Sequence, residues 1–131
     1  MNYEPVYQTL KAKLQALACN AAIRLPNEPP AGDTDLDIDV SVTETDSNIR
    51  TEIDTRRNIS IDLLLSIPVS TGTERIHNIA AKIVAAFDPL HKGNFWAGKC
   101  FVRIDSAGQR QPSSTKTRYQ INVRILATID T

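Results

Sequence analysis

The side chains best placed to do chemistry are four aspartates at alternate positions: Asp33, Asp35, Asp37 and Asp39. Clustered carboxylates bind hard divalent cations, and the opening of this run imitates a calcium-binding loop. Ile38 stands where such a loop needs its glycine, and no glutamate closes the set. On a strand, carboxylates two residues apart lie about 6.6–6.8 Å apart along the chain, which makes a row and not a cage. A solvated strand face, or one paired with Arg56 and Arg57 across a hairpin, accounts for them better than a metal site. The other reactive types are scattered. His77 and His91 have no Cys or His at ligand spacing. Ser113 and Ser114 lie in a polar stretch without an assignable base. Ser70-Thr71-Gly72-Thr73 offers free N–H groups before a helix but lacks the lysine of a phosphate loop, so helix capping explains it. These patterns argue against an enzyme and imply no cofactor and no catalytic or metal-binding residues. The enzymatic alternative is a small metal-dependent nuclease using Asp35, Asp37 and Asp39.

The elements that must carry these residues are organised around Asn58–Phe87. Ile59, Ile61, Leu63, Leu65 and Ile67 alternate, the period that gives a strand one apolar face, and Pro68 ends its pairing. Thr71-Gly72-Thr73-Glu74 reads as a capping box with Thr71 as N-cap. Ile76, Ile79, Ala80, Ile83, Val84 and Phe87 then recur at helical spacing until Asp88-Pro89. Upstream, Tyr3–Ala22 predicts an amphipathic helix with Val6, Leu10, Leu14, Leu17 and Ala21 on one face. Ile23–Leu25 is a short apolar piece before the connector Pro26-Asn27-Glu28-Pro29-Pro30. Asp35–Glu44 alternates strictly and forms an antiparallel hairpin with the central strand, its tip turning at Thr45–Asn48. Downstream, Leu90–Gly98 reads as a loop carrying Phe95 and Trp96, Lys99–Ile104 as a strand, and Asp105–Lys116 as a mobile polar loop. A long final strand follows through Tyr119, Ile121, Val123, Ile125, Ala127 and Ile129. The expected architecture is α+β, a mostly antiparallel sheet with two helices packed on one face, in the order α-β-β-α-β-β. An extra short strand around Ile23 and one parallel pair across the second helix fit the same pattern.

Residues 1–131 make one domain, large enough to need neither disulfide nor metal. Fifteen basic and fifteen acidic residues cancel, so the chain lacks the basic excess of a general nucleic-acid binder. No apolar run reaches the ~18 residues of a membrane span, and the N-terminal stretch lacks the apolar core of a signal peptide. Cys19 and Cys100 read as separate reduced thiols of a cytoplasmic protein.

What remains is surface. Phe95 and Trp96 serve either as a lid on the core or as an interface anchor. Arg56-Arg57 breaks the alternation before the central strand, the pattern of a bulge that aims two cations at a neighbour. Arg110 and Arg118, flanking the serine-rich stretch, complete the candidate interface. A sheet of this composition also has an edge that must be paired or protected, an obvious place for another subunit.

Tyr3-Glu4-Pro5-Val6, Leu25-Pro26-Asn27-Glu28-Pro29, Arg56-Arg57-Asn58 leading into Ile59–Leu65, and Pro68 followed by Thr71-Gly72-Thr73 form one series. With the helix bearing Ile79, Ala80, Ile83 and Phe87 and the strand through Tyr119, Ile121 and Val123, this series resembles the phage tail terminator family, also called tail completion or minor tail proteins. Leu25 stands where that family carries an aromatic residue. The resemblance implies a virion structural protein assembled in the bacterial host cytoplasm and located at the head-proximal end of the tail. It implies a homo-oligomeric ring, usually a hexamer, that caps the tail tube protein and presents a surface to the head or neck connector protein. DNA would be only passing cargo, sliding past a lumen-facing acidic face of Asp35, Asp37 and Asp39. A head–tail joining (neck) protein is the neighbouring alternative.

Overall fold

The computed structural model describes residues 3–17, 21–26, 28, 36–46, 57–88 and 93–130. Asp33, Asp35, Arg56, Cys19, His91, the connector positions Asn27, Pro29 and Pro30, and the hairpin tip at 47–56 lie outside the described residues.

Helix α1, Glu4–Leu17, buries Val6, Leu10 and Leu14, and carries Pro5 in its first turn, where a missing N–H costs nothing. The expectation of helix as far as Ala22 is corrected, because Ala22 already belongs to strand β1, Ala22–Arg24. Strand β2 runs Asp37–Asp46 and β3 runs Arg57–Pro68. They pair antiparallel from Asp37↔Ser66 to Asp46↔Asn58, as the alternation predicts. The bulge falls in β2, where Glu44 faces Ile59 and Asp46 faces Asn58 with Thr45 extra, and not in β3 at Arg57.

Val69–Thr71 form a single 3₁₀ turn before helix α2, Glu74–Ala86. The N-cap is Thr73, without a side-chain cap bond, in place of the expected Thr71. Gly72 explains the shift: its φ of 80° is left-handed, so no right-handed helix can run through it. The apolar stripe is as the spacing requires, with Ile76, Ala80 and Ile83 buried.

Phe95 and Trp96 are not in a loop; they lie in a short strand, β4, Phe95–Ala97. Strand β5 extends over Cys100–Gln109, well beyond Ile104, and Ser113–Ser114 form β6. The segment read as a mobile polar loop is therefore mostly ladder. A bulge at Asp105, between Ile104 and Ser106, shifts the period there and hides the strand from a pattern reading. Strand β7, Arg118–Asp130, is the long final strand.

The sheet is mixed, with order β1-β2-β3-β7-β5-β4 and β6 against β7. All pairs are antiparallel except β1 with β2, so the parallel pair lies at that edge and not across α2. Ile59 to Ile67 on β3 and Ile121 to Ile129 on β7 join Val6, Leu10, Leu14, Ile76, Ile83 and Phe87 in one buried cluster. Both helices thus cover one face of the sheet, and among the described residues the other face carries none.

Candidate functional site

The helix-free face is built from the alternate residues of the same strands, and its charged groups pair among themselves. On β1 and β2, Arg24 grips Asp39 with two hydrogen bonds of 2.6 Å, from Nε and from an Nη. That fork is the bidentate geometry a guanidinium and a carboxylate share, and it raises the Arg24 pKa further above its ordinary value. Arg118, at the start of β7, reaches across β3: its Nε donates to Ser66 Oγ at 2.7 Å and an Nη donates to Asp37 at 3.3 Å. The same Nη group donates to the Ser66 carbonyl at 2.9 Å. Farther along, Arg124 donates to Asp62 at 3.0 Å, and the Thr128 hydroxyl donates to Asp105 at 2.8 Å. Ser60, Ser66 and Thr128 are buried within this network although no helix among the described residues covers them.

The expected partners of the aspartate row are thus corrected. Asp37 and Asp39 engage Arg118 and Arg24, whereas Arg57 belongs to Glu44 on the helix side at 2.9 Å. That second cluster is closed by Tyr3, whose hydroxyl donates to Glu44. Glu44 is held below the usual carboxylate range, chiefly by this hydrogen bond and then by Arg57. The Tyr3 hydroxyl is pushed well above its ordinary range, first by burial and then by Glu44.

Among the candidate interface residues the structure draws a division. Phe95 is 6% exposed and packs edge-on against Phe87 in the core. Trp96, its neighbour on the strand, points to the opposite face at 66% exposure and leans on Phe101 with ring centres 5.0 Å apart. Arg57 and Arg118 are held by the partners above, while Arg110 is exposed just past the end of β5. Among the described residues, Leu126 at 40% and Val69 at 49% are the other large apolar side chains left in solvent. His77, on the exposed side of α2, lies with Nε2 2.9 Å from the Tyr119 hydroxyl. Ser113 and Ser114 are exposed on β6.

Sequence reasoning missed Arg24, Arg124, Asn94 and Tyr7. Arg24 sits between Ile23 and Leu25, and a lone cation flanked by apolar residues in a short extended piece is the signal that points it to the opposite face of a strand. Asn94 and Tyr7 act on backbone groups: the Val42 N–H donates to the Tyr7 hydroxyl at 3.0 Å and the Ile104 N–H to Asn94 Oδ1 at 2.8 Å. No pattern of side-chain spacing encodes such contacts. Among the described residues no three His, Cys, Asp or Glu side chains converge, and no helix is long and apolar enough to cross a membrane.

No protein-family model matches this chain, and no curated protein does. One solved structure, which carries a sequence identifier and no descriptive name, superposes with a TM-score of 0.73 at 15% identity. The match covers 100% of this chain and 97% of the other, so the two share a fold from end to end.

Proposed function

We infer that this chain is a structural subunit that works by assembly: a tail-terminator subunit whose copies close into a ring on the end of a tail tube. The observation that carries this reading is the helix-free face. Its arginines and aspartates bind one another in place, while a tryptophan and a leucine stand out of the same face into water. A catalytic site needs reactive groups that converge on a cleft and keep bonding capacity for a substrate. A docking surface needs rigid strands, a few exposed aromatic or apolar anchors and a satisfied polar surround. This face has the second set of properties. The series from Tyr3 to Val123 that resembles tail terminators supplies the kind of assembly.

With Asp39 and Asp37 paired to Arg24 and Arg118, a lumen lined by this face would show DNA fixed pairs of both signs. Such a wall neither attracts nor strongly repels a polyanion. The nuclease reading needs those carboxylates for a metal ion. Cleavage of DNA with magnesium or manganese, abolished in Asp37→Asn, would overturn the structural reading.

The direct test is native mass spectrometry with negative-stain imaging at rising protein concentration, alone and with purified tail tubes. Annular oligomers, hexameric in the closest fit to the resemblance, and capture on tube ends are expected. Capture by head connectors in place of tubes would move the chain to a neck role. A protein that stays monomeric alone and with tubes would sink both.

A further inference from the structure

Two stretches of backbone on opposite sides of the sheet have no strand partner among the described residues. β1 covers β2 only at Asp37–Asp39, which leaves Val40–Asp46. β4 covers β5 only at Cys100–Val102, which leaves Arg103–Gln109. Followed across β3 and β7, the registers put these stretches level with each other. Val40 shares a row with Leu63, Val123 and Gln109; Val42 shares one with Ile61, Ile125 and Ala107. The row through Asp46, Asn58 and Thr128 ends on Arg103. Each stretch contains one bulge, and the two strands run in opposite directions.

Their hydrogen-bonding phase matches as well. Backbone groups on a strand point alternately to its two sides. The Val42 N–H faces away from β3, toward Tyr7, so Val40 and Glu44 face that way too. On β5, the Arg110 N–H donates back to the Asn122 carbonyl of β7 at 2.8 Å, which leaves Ala107 and Gln109 facing outward. Rows that end in an outward group on one side therefore end in one on the other.

We propose that a second copy of this chain docks its β2 edge, Val40–Glu44, antiparallel along the β5 edge, Ile104–Gln109, so that the sheet continues from subunit to subunit. The proposal rests on the ring reading and gives it an interface. Val40 of one copy pairs with Gln109 of the next, and Val42 with Ala107; as the ladder forms, the Tyr7 hydroxyl yields the Val42 N–H and the Asn94 side chain yields the Ile104 N–H. This contact joins different surfaces, so its repetition builds a ring where the rotation closes, and never a two-fold dimer. A slip toward β4 is blocked, since it runs β2 into β4 and β1 into the end of β5. A slip the other way shortens the ladder two residues at a time. Past Val40 and Gln109 the two sheets part, because β1 of one copy and Arg110–Ser114 of the other lie in the same rows. Small residues line the helix-free side of the seam: Ser41 and Thr43 from one copy, Ser106 and Gly108 from the other. Trp96 stands at the seam's β4 end, since β4 and the incoming β2 occupy one column.

Ser41 and Gly108 share a row, and there the proposed pair is not hydrogen-bonded. Directly opposed residues of that kind have Cα atoms about 4.5 Å apart, within reach of a disulfide. A Cβ added at Gly108 meets nothing within 4 Å. The double variant Ser41→Cys/Gly108→Cys, oxidised mildly, should give a reducible ladder of covalent oligomers ending at the ring size. Wild type and each single variant, which control for Cys19 and Cys100, should not. Gln109→Pro, which removes an N–H the fold does not use, should raise the concentration for half assembly at least tenfold at unchanged Tm. Rings without the double-variant ladder would overturn the edge pairing and leave the ring reading standing. Absence of both rings and ladder would overturn the two together. A dimer linked through Gly108→Cys alone would mean that β5 pairs with itself, and would also overturn the proposal.

Discussion

The two faces of the central strands use the same backbone and oppose each other in every other respect. On β3 the odd-numbered residues from Ile59 to Ile67 are all apolar and almost wholly buried under the helices. The even-numbered residues from Asn58 to Ser66 are polar apart from Leu64, and they hold the hydrogen bonds that tie β3 to Arg124 and Arg118. The contrast separates the face that holds the fold together from the face that stays in water. Apolar burial is non-directional and scales with area, so the covered face holds most of the folding free energy. A face kept in water by paired charges contributes little net stability, because exposed ion pairs are worth about 0–1 kcal/mol each. It can instead present a fixed pattern to a partner.

The comparison is tested most severely by removing one large side chain from the covered face. Leu63→Ala should cost about 2–5 kcal/mol in urea unfolding. A loss below about 1 kcal/mol would mean that the interface between helices and sheet is loosely packed. Two glycines sharpen the same contrast. A Cβ at Gly93 would lie 2.7 Å from the backbone carbon of Phe87, whereas one at Gly108 meets nothing within 4 Å. Gly93→Ala should therefore cost about 1–3 kcal/mol through forced backbone movement. Gly108→Ala, on the open face, should stay within about 0.5 kcal/mol of wild type.

The covered face was legible in the sequence because burial imposes period, and period survives without knowledge of partners. Ile59–Ile67, Ile76–Phe87 and Tyr119–Ile129 each announce their element. The open face was not legible in the same way. Its pairs, Arg24 with Asp39 and Arg118 with Asp37, join residues 15 and 81 positions apart, and strand order alone brings them together. Bulges at Thr45 and Asp105 shift the alternation, and the second hides the continuation of β5 beyond Ile104. Phe95-Trp96 was ambiguous for a different reason. A three-residue strand is too short to show a period, so nothing in sequence could say that the pair divides between core and solvent.

Within the open face, Arg118 is the group most firmly held. Arg118→Met removes three donations at once and leaves Ser66 and Asp37 facing an apolar chain. A loss of about 1–2 kcal/mol is expected, since hydrogen bonds to a charged group are worth more than neutral ones but this one is partly solvated. An effect as large as that of Leu63→Ala would erase the distinction between the faces.

Acid tests the cluster at the rim of the covered face. Glu44 has a depressed pKa in the folded chain, so the unfolded chain binds the extra proton at low pH. Its contribution is complete above the unfolded value of about 4.3 and fades as pH falls through the lower folded value. The thermal midpoint should therefore fall more steeply below about pH 4 in wild type than in Tyr3→Phe, which lacks the main cause of the depression. Parallel acid profiles would show that Glu44 is not set by Tyr3.

Trp96 should have only a small effect on stability, and its substitution separates the two faces most cleanly. The indole is 66% exposed, and among the described residues its aromatic neighbour is Phe101 on the same open face. Trp96→Ala removes that contact and little else, so unfolding should change by no more than about 0.5–1 kcal/mol. If Trp96 anchors a neighbouring subunit, the same substitution should weaken assembly by about 2 kcal/mol or more per contact, because exposed aromatics that become buried at an interface dominate its energy. The measurement is a pair: urea unfolding of the dilute protein, and sedimentation velocity across the assembly range. Unchanged unfolding with lost assembly places the residue's role between molecules. A stability loss matching Leu63→Ala, with assembly intact, would place Trp96 in the fold and return the open face to plain solvent.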